Sequence, residues 1–270
     1  MILPDSSKVA LMGRIFELTS FAILFLLLGP GPSLGQQLRI ETRVYVADES
    51  EPISENLTLF TERTIYDFLN GKQQVSIFEH TAGIFVLLDS ERKVQTEITT
   101  DNLVKFTSKI HSLVKNGNGD AVIKFLADPN FEPVQFDAKK QELVLESSFV
   151  TYRARGTRED DLSLLRRIRF FHDWYARLNA TRPGGSPPYA RLKLNAVLEE
   201  KQILATEIHK RQTFFGSQPQ TLSFRSVHKI DQELTTEDRH RMALAEASRK
   251  GFQAVTFREF QQLNSDNTQQ

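Results

Sequence analysis

No cysteine occurs in the 270 residues. Disulfide scaffolds, thiolate metal sites and thiol nucleophiles are therefore excluded. Net charge is lacking as well, because 34 basic side chains balance 34 acidic ones. A neutral sum gives no long-range pull toward nucleic acid or an anionic membrane surface. Familiar catalytic motifs are missing too. Gly29-x-Gly31-x-x-x-Gly35 has the wrong spacing for a dinucleotide loop, and neither a phosphate loop nor a Gly-x-Ser-x-Gly elbow is present. Ser112-x-x-Lys115 and Ser226-x-x-Lys229 occur at the frequency chance gives for this composition. Ser265-Asp266-Asn267 sits in a polar tail, and no Lys-Thr-Gly follows it. The histidines at 80, 111, 172, 209, 228 and 240 show neither i, i+4 spacing nor His-Glu-x-x-His, so no metal or cofactor site is read from them.

The one long apolar run is Leu18 to Leu28. Lys8 and Arg14 precede it, Gly29-Pro30-Gly31-Pro32 breaks it, and Ser33-Leu34-Gly35 offers small residues for cleavage. This is the layout of a secretory signal peptide over residues 1–35, with a mature start near Gln36. The run is shorter than the ~20 residues a spanning helix needs, so no transmembrane span is expected after cleavage. An uncleaved signal anchor is the alternative, and Met12 is an alternative start. With no cysteine after the run, attachment as a lipoprotein is excluded. The expected location is periplasmic or extracellular. Asn56-Leu57-Thr58 and Asn179-Ala180-Thr181 match the glycosylation pattern, which matters only in a eukaryotic secretory pathway.

The first half then reads as strands. Leu38, Ile40, Thr42, Val44 and Val46 alternate with polar residues, and Leu57–Phe68, a strand starting at Val75, Ile84–Leu88 and Val94–Ile98 follow with short connections. Such spacing predicts an antiparallel meander. A helix is expected after Thr100 or Asp101, a shorter one from Asp120 to Ala127, then strands near Val134–Phe136 and Glu142–Arg153. Leu162, Leu165, Ile168, Phe171, Tyr175 and Leu178 recur at helical spacing within Glu159–Asn179, the longest predicted helix. Arg182-Pro-Gly-Gly-Ser-Pro-Pro188 is the strongest loop. A short helix over Tyr189–Lys201, a hairpin over Ile203–Ile230, a capped helix from Thr235 to Gly251 and a strand over Ala254–Phe257 complete the expectation. The whole is an α+β fold: one domain over 36–261 with a large curved antiparallel sheet, half-barrel-like and covered by helices on one side, then a disordered polar tail over 262–270.

The neutral total is uneven. Residues 36–150 carry 12 basic and 18 acidic side chains, and residues 151–193 carry 10 basic and 4 acidic. Nine of those basic groups are arginines, at 153, 155, 158, 166, 167, 169, 177, 182 and 191. Arginine suits bidentate carboxylate or phosphate pairing. The leading reading is internal pairing of this helix with the acidic sheet half. The functional reading makes Arg166, Arg169 and Arg177 a surface for an anionic partner such as an envelope protein or polymer. The export signal argues against nucleic acid. Twenty phenylalanines either pack a core or line an apolar cavity under a curved sheet. His80 and His228 read as surface or hydrogen-bonded strand residues. A hydrolase assembled from distant residues would need one of them beside a serine and a carboxylate.

Thr64-Ile-Tyr-Asp67, Val75-Ser-Ile-Phe-Glu79, Ile84-Phe-Val-Leu-Leu-Asp89 and Val94-Gln-Thr-Glu97 run as successive short strands. With Trp174-Tyr-Ala-Arg-Leu-Asn179 and Leu234-Thr-Thr-Glu-Asp-Arg239, the chain resembles a group of uncharacterised exported bacterial proteins. The meander more distantly resembles the periplasmic lipoprotein-carrier fold, an open half-barrel whose helices plug an apolar cavity. That resemblance implies a non-enzymatic exported binding protein for a lipid, acyl chain or lipoprotein. Its candidate cavity residues are Phe60, Tyr66, Phe78, Phe85 and Trp174, with Arg63 at the place of a lid-control arginine. The alternative is a cell-envelope structural or interaction protein with a solid core and an Arg-rich partner surface.

Overall fold

The computed structural model describes residues 37–71, 73–117, 119–215 and 220–266. The segment read as an export signal lies outside them. Among these residues twelve strands form one open sheet: β1 (Leu38–Val46), β2 (Ser54–Phe60), β3 (Thr64–Leu69), β4 (Gln74–Glu79), β5 (Ile84–Asp89), β6 (Val94–Thr99), β7 (Val134–Asp137), β8 (Glu142–Leu145), β9 (Val150–Arg158), β10 (Ile203–Phe214), β11 (Gln220–Asp231) and β12 (Gln253–Ala254). Their spatial order is β12-β6-β5-β4-β3-β2-β1-β11-β10-β9-β8-β7. All neighbours are antiparallel except β12, which lies parallel to β6. Among the described residues six helices accompany them: α1 (Thr100–Lys115), α2 (Ala121–Ala127), α3 (Leu162–Ala180), α4 (Tyr189–Glu200), α5 (Thr236–Gly251) and α6 (Phe257–Asp266). The fold is α+β with a curved, unclosed sheet, as the alternation predicts. Among the described residues no helix is long and apolar enough to cross a membrane.

Strand parity sorts the side chains onto two faces. On the inner face, Leu38, Phe60, Ile65, Phe78, Phe85 and Ile98 pack with Leu103 of α1 and with Leu164, Ile168 and Phe171 of α3. Further along the same face, Leu143, Leu145, Tyr152 and Ile208 pack with Val122 and Leu126 of α2 and Leu194 of α4. The residues of opposite parity, Leu57, Leu59, Tyr66, Ile77, Val86 and Leu88, pack with Ala245 and Met242 of α5. Helices thus cover the outer face as well, over β2–β5, where a one-sided cover had been expected.

Local chemistry sets the boundaries. Thr99, one residue before the predicted cap, accepts from the amide of Asn102 and starts α1. Asp120 caps α2, Asp161 caps α3, and Thr235 with Asp238 forms a capping box on α5. The stretch Leu57–Phe68 is two strands, separated by a turn at Thr61–Arg63 in which Thr61 bonds Thr64. Helix α6 runs to Asp266, into the segment expected to be a disordered tail. Thr256 and Glu259 bond each other's backbone amides and start it. Gly156 sits where β10 shifts register between Ala205 and Glu207. A Cβ there would lie 2.0 Å from the Leu204 carbonyl oxygen.

Candidate functional site

Between the inner face of the central strands and helices α3 and α4 lies a cavity of about 560 Å³, within the range of small-molecule sites. Its floor is a polar band crossing the sheet. Asp67 on β3 stands beside Thr58 on β2, Thr42 on β1 stands between Asn56 on β2 and His228 on β11, and Lys210 on β10 stands between Phe224 on β11 and Tyr152 on β9. The roof is His172, Tyr175 and Asn179 of α3, Arg191 of α4, and the connecting loop with Arg182 and Ser186. The loop can serve as a wall because Pro187 and Pro188 are buried while Arg182–Ser186 stay exposed.

Asp67 is 4% exposed and accepts three hydrogen bonds: from Tyr175 Oη at 2.6 Å, Thr58 Oγ1 at 2.7 Å and Asn56 Nδ2 at 3.0 Å. Burial nevertheless holds its carboxyl above the usual carboxylate range, and the same enclosure beside Asp67 raises the Tyr175 phenol. Next along the band, His228 Nδ1 pairs with Thr42 Oγ1 at 2.9 Å. Its Nε2 and the Oδ1 of Asn179 are enclosed polar atoms without a protein partner. Burial and the nearby Arg191 push His228 down to about 4, and burial takes His172 well below its ordinary value.

Three cations line this band: Arg182 near Asp67 and Tyr175, and Arg191 and Lys210 further along it. Arg191 donates to Asn195 Oδ1 at 2.9 Å, and Asn195 in turn donates to Asp173 at 2.8 Å. Burial lowers the Arg191 guanidinium. The Lys210 ammonium is lowered by burial and then by repulsion from Arg191. Neither forms an ion pair with a carboxylate among the described residues. Asp173 acts on Arg191 through space and through Asn195, whereas the Lys210 ammonium faces Arg191 with no ion-pair partner among the described residues, and such like charges are destabilising unless something anionic joins them. Tyr152, 3% exposed at the deep end, has its phenol raised to about 12 by burial.

No protein-family model matches this chain, and no curated protein matches it. The chemistry must come from the site itself.

The six residues proposed from sequence for a cavity lie elsewhere. Phe60, Phe78 and Phe85 are fully buried, and Phe78 and Phe85 stack at 4.2 Å. With Trp174 they belong to the packed inner cluster of β1–β6 and α3. Tyr66 points the other way and donates to Glu246 of α5 at 2.8 Å. Arg63 is exposed in the turn between β2 and β3. None of the six lines the cavity.

The arginine-rich segment also differs from the leading expectation. On α3, Arg166 and Arg169 pair with α4 rather than across to the acidic sheet half, whereas the β9 arginines do reach that half at Glu142 of β8. Arg166 and Arg169 pair with Glu199 of α4 at 3.5 and 3.0 Å, Arg153 and Arg155 pair with Glu142, and Arg158 pairs with Asp160. Arg177 stacks on Trp174 at 5.1 Å. The acidic strands instead receive Arg249 of α5, which pairs with Glu79 and Glu97. Arg182 and Arg191, at the two ends of the proline-glycine loop, are the members that enter the cavity wall.

His228 does share this cleft with Ser226, Ser54 and Asp67. Yet Ser226 Oγ donates to the Ile208 carbonyl at 3.3 Å, and His228 Nδ1 is engaged by Thr42, so the nucleophile–base bond of a hydrolase is not made. His80 is half-buried outside the cavity and bonds the Glu62 carbonyl. Both asparagines of the glycosylation patterns, Asn56 and Asn179, line the cavity.

Proposed function

We propose that this chain is a non-enzymatic binding protein, exported to the cell envelope or beyond, that carries or senses a lipid or acyl-bearing ligand between its sheet and helices α3 and α4. The observation behind the reading is the cavity of about 560 Å³, of a size that suits one small amphiphile. Its walls combine polar groups with apolar ones such as Val44, Ile53, Leu69 and Phe224. Such mixed lining fits a ligand with both a chain and a head. The local pairing of Arg166 and Arg169 leaves less charge for a partner-recruiting surface, which favours the cavity over the α3 exterior as the working site.

Native mass spectrometry of the full chain, purified from the compartment to which it is exported, tests the proposal. A bound organic molecule in the wild type is the expected result, lost in Ala176→Trp, which puts an indole into the cavity from α3. If wild-type protein carries no such molecule and takes up no fatty acid, lysophospholipid or lipopeptide, the proposal fails and a solid-core interaction protein becomes the better reading.

A further inference from the structure

The carrying reading leaves open which end of the ligand enters, and the distribution of charge answers it. The cavity is open at one end and closed at the other. Ile53, 61% exposed, and the exposed Asn70, Arg182 and Ser186 form the rim. Tyr152, Leu126, Phe171 and Ile208 are 1–4% exposed and form the deep wall. Lys210 neighbours Tyr152 across β9 and β10. Arg191 lies within electrostatic reach of Tyr152, Lys210, His172 and His228 together. Arg191 and Lys210 therefore stand toward the deep wall and Arg182 at the rim, while the apolar Val44, Ile53 and Leu69 lead outward along β1, the turn before β2, and β3.

We infer, building on the carrying reading, that the ligand is an amphiphile with a carboxylate or phosphate head, and that it enters acid-first, its oxyanion seated between Arg191 and Lys210 and its chain trailing toward Ile53. A half-buried guanidinium presents a fork that matches an oxyanion, and an ammonium adds a point charge beside it. The enclosed Nε2 of His228 supplies a further hydrogen-bonding atom. The neighbouring Asn179 Oδ1 offers an acceptor for a ligand hydroxyl or amide N–H. Asp67 is the one carboxylate on the cavity floor, and Tyr175, Thr58 and Asn56 already engage it on the far side of β1 from Lys210. It does not stand in for the missing counter-charge. A neutral head would leave Lys210 without a counter-charge, and a cationic head would add another like charge.

Calorimetric titration of the full, delipidated chain with four ligands of one chain length tests this: dodecyl phosphate, dodecanoate, dodecanol and dodecyltrimethylammonium, with inorganic phosphate as a fifth. The two acids should bind about tenfold or more tighter than the alcohol, and the ammonium should not bind. Lys210→Met should reduce the ratio of acid to dodecanol affinity about tenfold, and Lys210→Arg should restore it. The dodecanol control and a thermal melt show that each variant is folded. Dodecanol binding as tightly as the acids would overturn the acid-first inference and leave the carrying reading standing. Failure of all four amphiphiles would overturn the carrying reading. Inorganic phosphate binding as tightly as dodecyl phosphate, and lost in Lys210→Met, would support the oxyanion seat while removing the lipid as its source.

Discussion

The pH dependence of stability gives the cavity a quantitative signature, and His228 is its clearest source. An imidazole free in the unfolded chain titrates near 6.5, whereas burial and Arg191 take the folded group to about 4. The folded state therefore binds fewer protons than the unfolded state between these values. For a depressed histidine the stability contribution is full above pH 6.5 and is lost as pH falls toward 4. The difference in proton affinity amounts to about 3 kcal/mol, and solvent in the cavity reduces this to about 2–3 kcal/mol. His228→Asn removes the titration and keeps an amide to bond Thr42. Urea unfolding of both proteins at half-unit steps from pH 7.5 to pH 4 should show the wild type losing about 2–3 kcal/mol more than the variant, mostly below pH 6.5. Asp67 shifts in the opposite sense: its raised pKa makes folding more favourable as the carboxyl protonates. Both proteins keep Asp67, so its contribution cancels in the comparison. Parallel loss of stability, within about 0.5 kcal/mol, would refute an enclosed neutral His228.

Two further substitutions test the frame that holds the site. Gly156→Ala brings a Cβ against the Leu204 carbonyl, 2.0 Å away on an adjacent strand that cannot yield cheaply; a loss above about 2 kcal/mol in chemical unfolding is expected, and an unchanged midpoint would show that β9 and β10 are not packed this closely. Phe78→Ala empties a fully buried ring stacked on Phe85, and should cost about 3–5 kcal/mol while leaving ligand affinity within about twofold, because the ring lies outside the cavity; a tight-binding defect without a stability loss would place Phe78 at the ligand after all.

The sheet was readable from sequence because its signal is local. In β1 the period of two separates Leu38, Ile40, Thr42 and Val44 from Arg39, Glu41 and Arg43 without any knowledge of the partners. Boundaries were lost where turn chemistry is absent. Thr61–Arg63 contains no glycine, proline or asparagine, so two strands merge into one run. Helix α6 did carry a signal, Thr256-Phe-Arg-Glu259, a capping box followed by Phe260 that the polar composition of the tail concealed. The site was harder, since its residues come from β1, β2, β3, β9, β10, β11, α3 and α4 and no spacing links them. The usable trace is charge at inward parity. Asp67 falls in step with Ile65 and Leu69, Lys210 with Ile208, and His228 with Ile230. A polar side chain at a core position needs a reason, and here the three together mark the cavity floor. The phenylalanines pointed to the solid half of the same sheet instead. Phe60, Phe78 and Phe85 are apolar enough to exclude any ligand from their own neighbourhood.

The seam between β1 and β11 carries a consequence for how the molecule comes into being. These strands pair over Arg39–Val46 and Phe224–Asp231, so a residue near the start of the described chain waits for one near its end. Contacts of such sequence separation form late, because a long loop must close before they return any free energy. A ribosome that has delivered the β1–β6 meander has made a strand ladder with β1 as its open border. The Thr42–His228 bond crosses this seam. The binding chamber is thus absent until synthesis has passed residue 231, and through that interval the border of β1 is available to any extended segment that meets it.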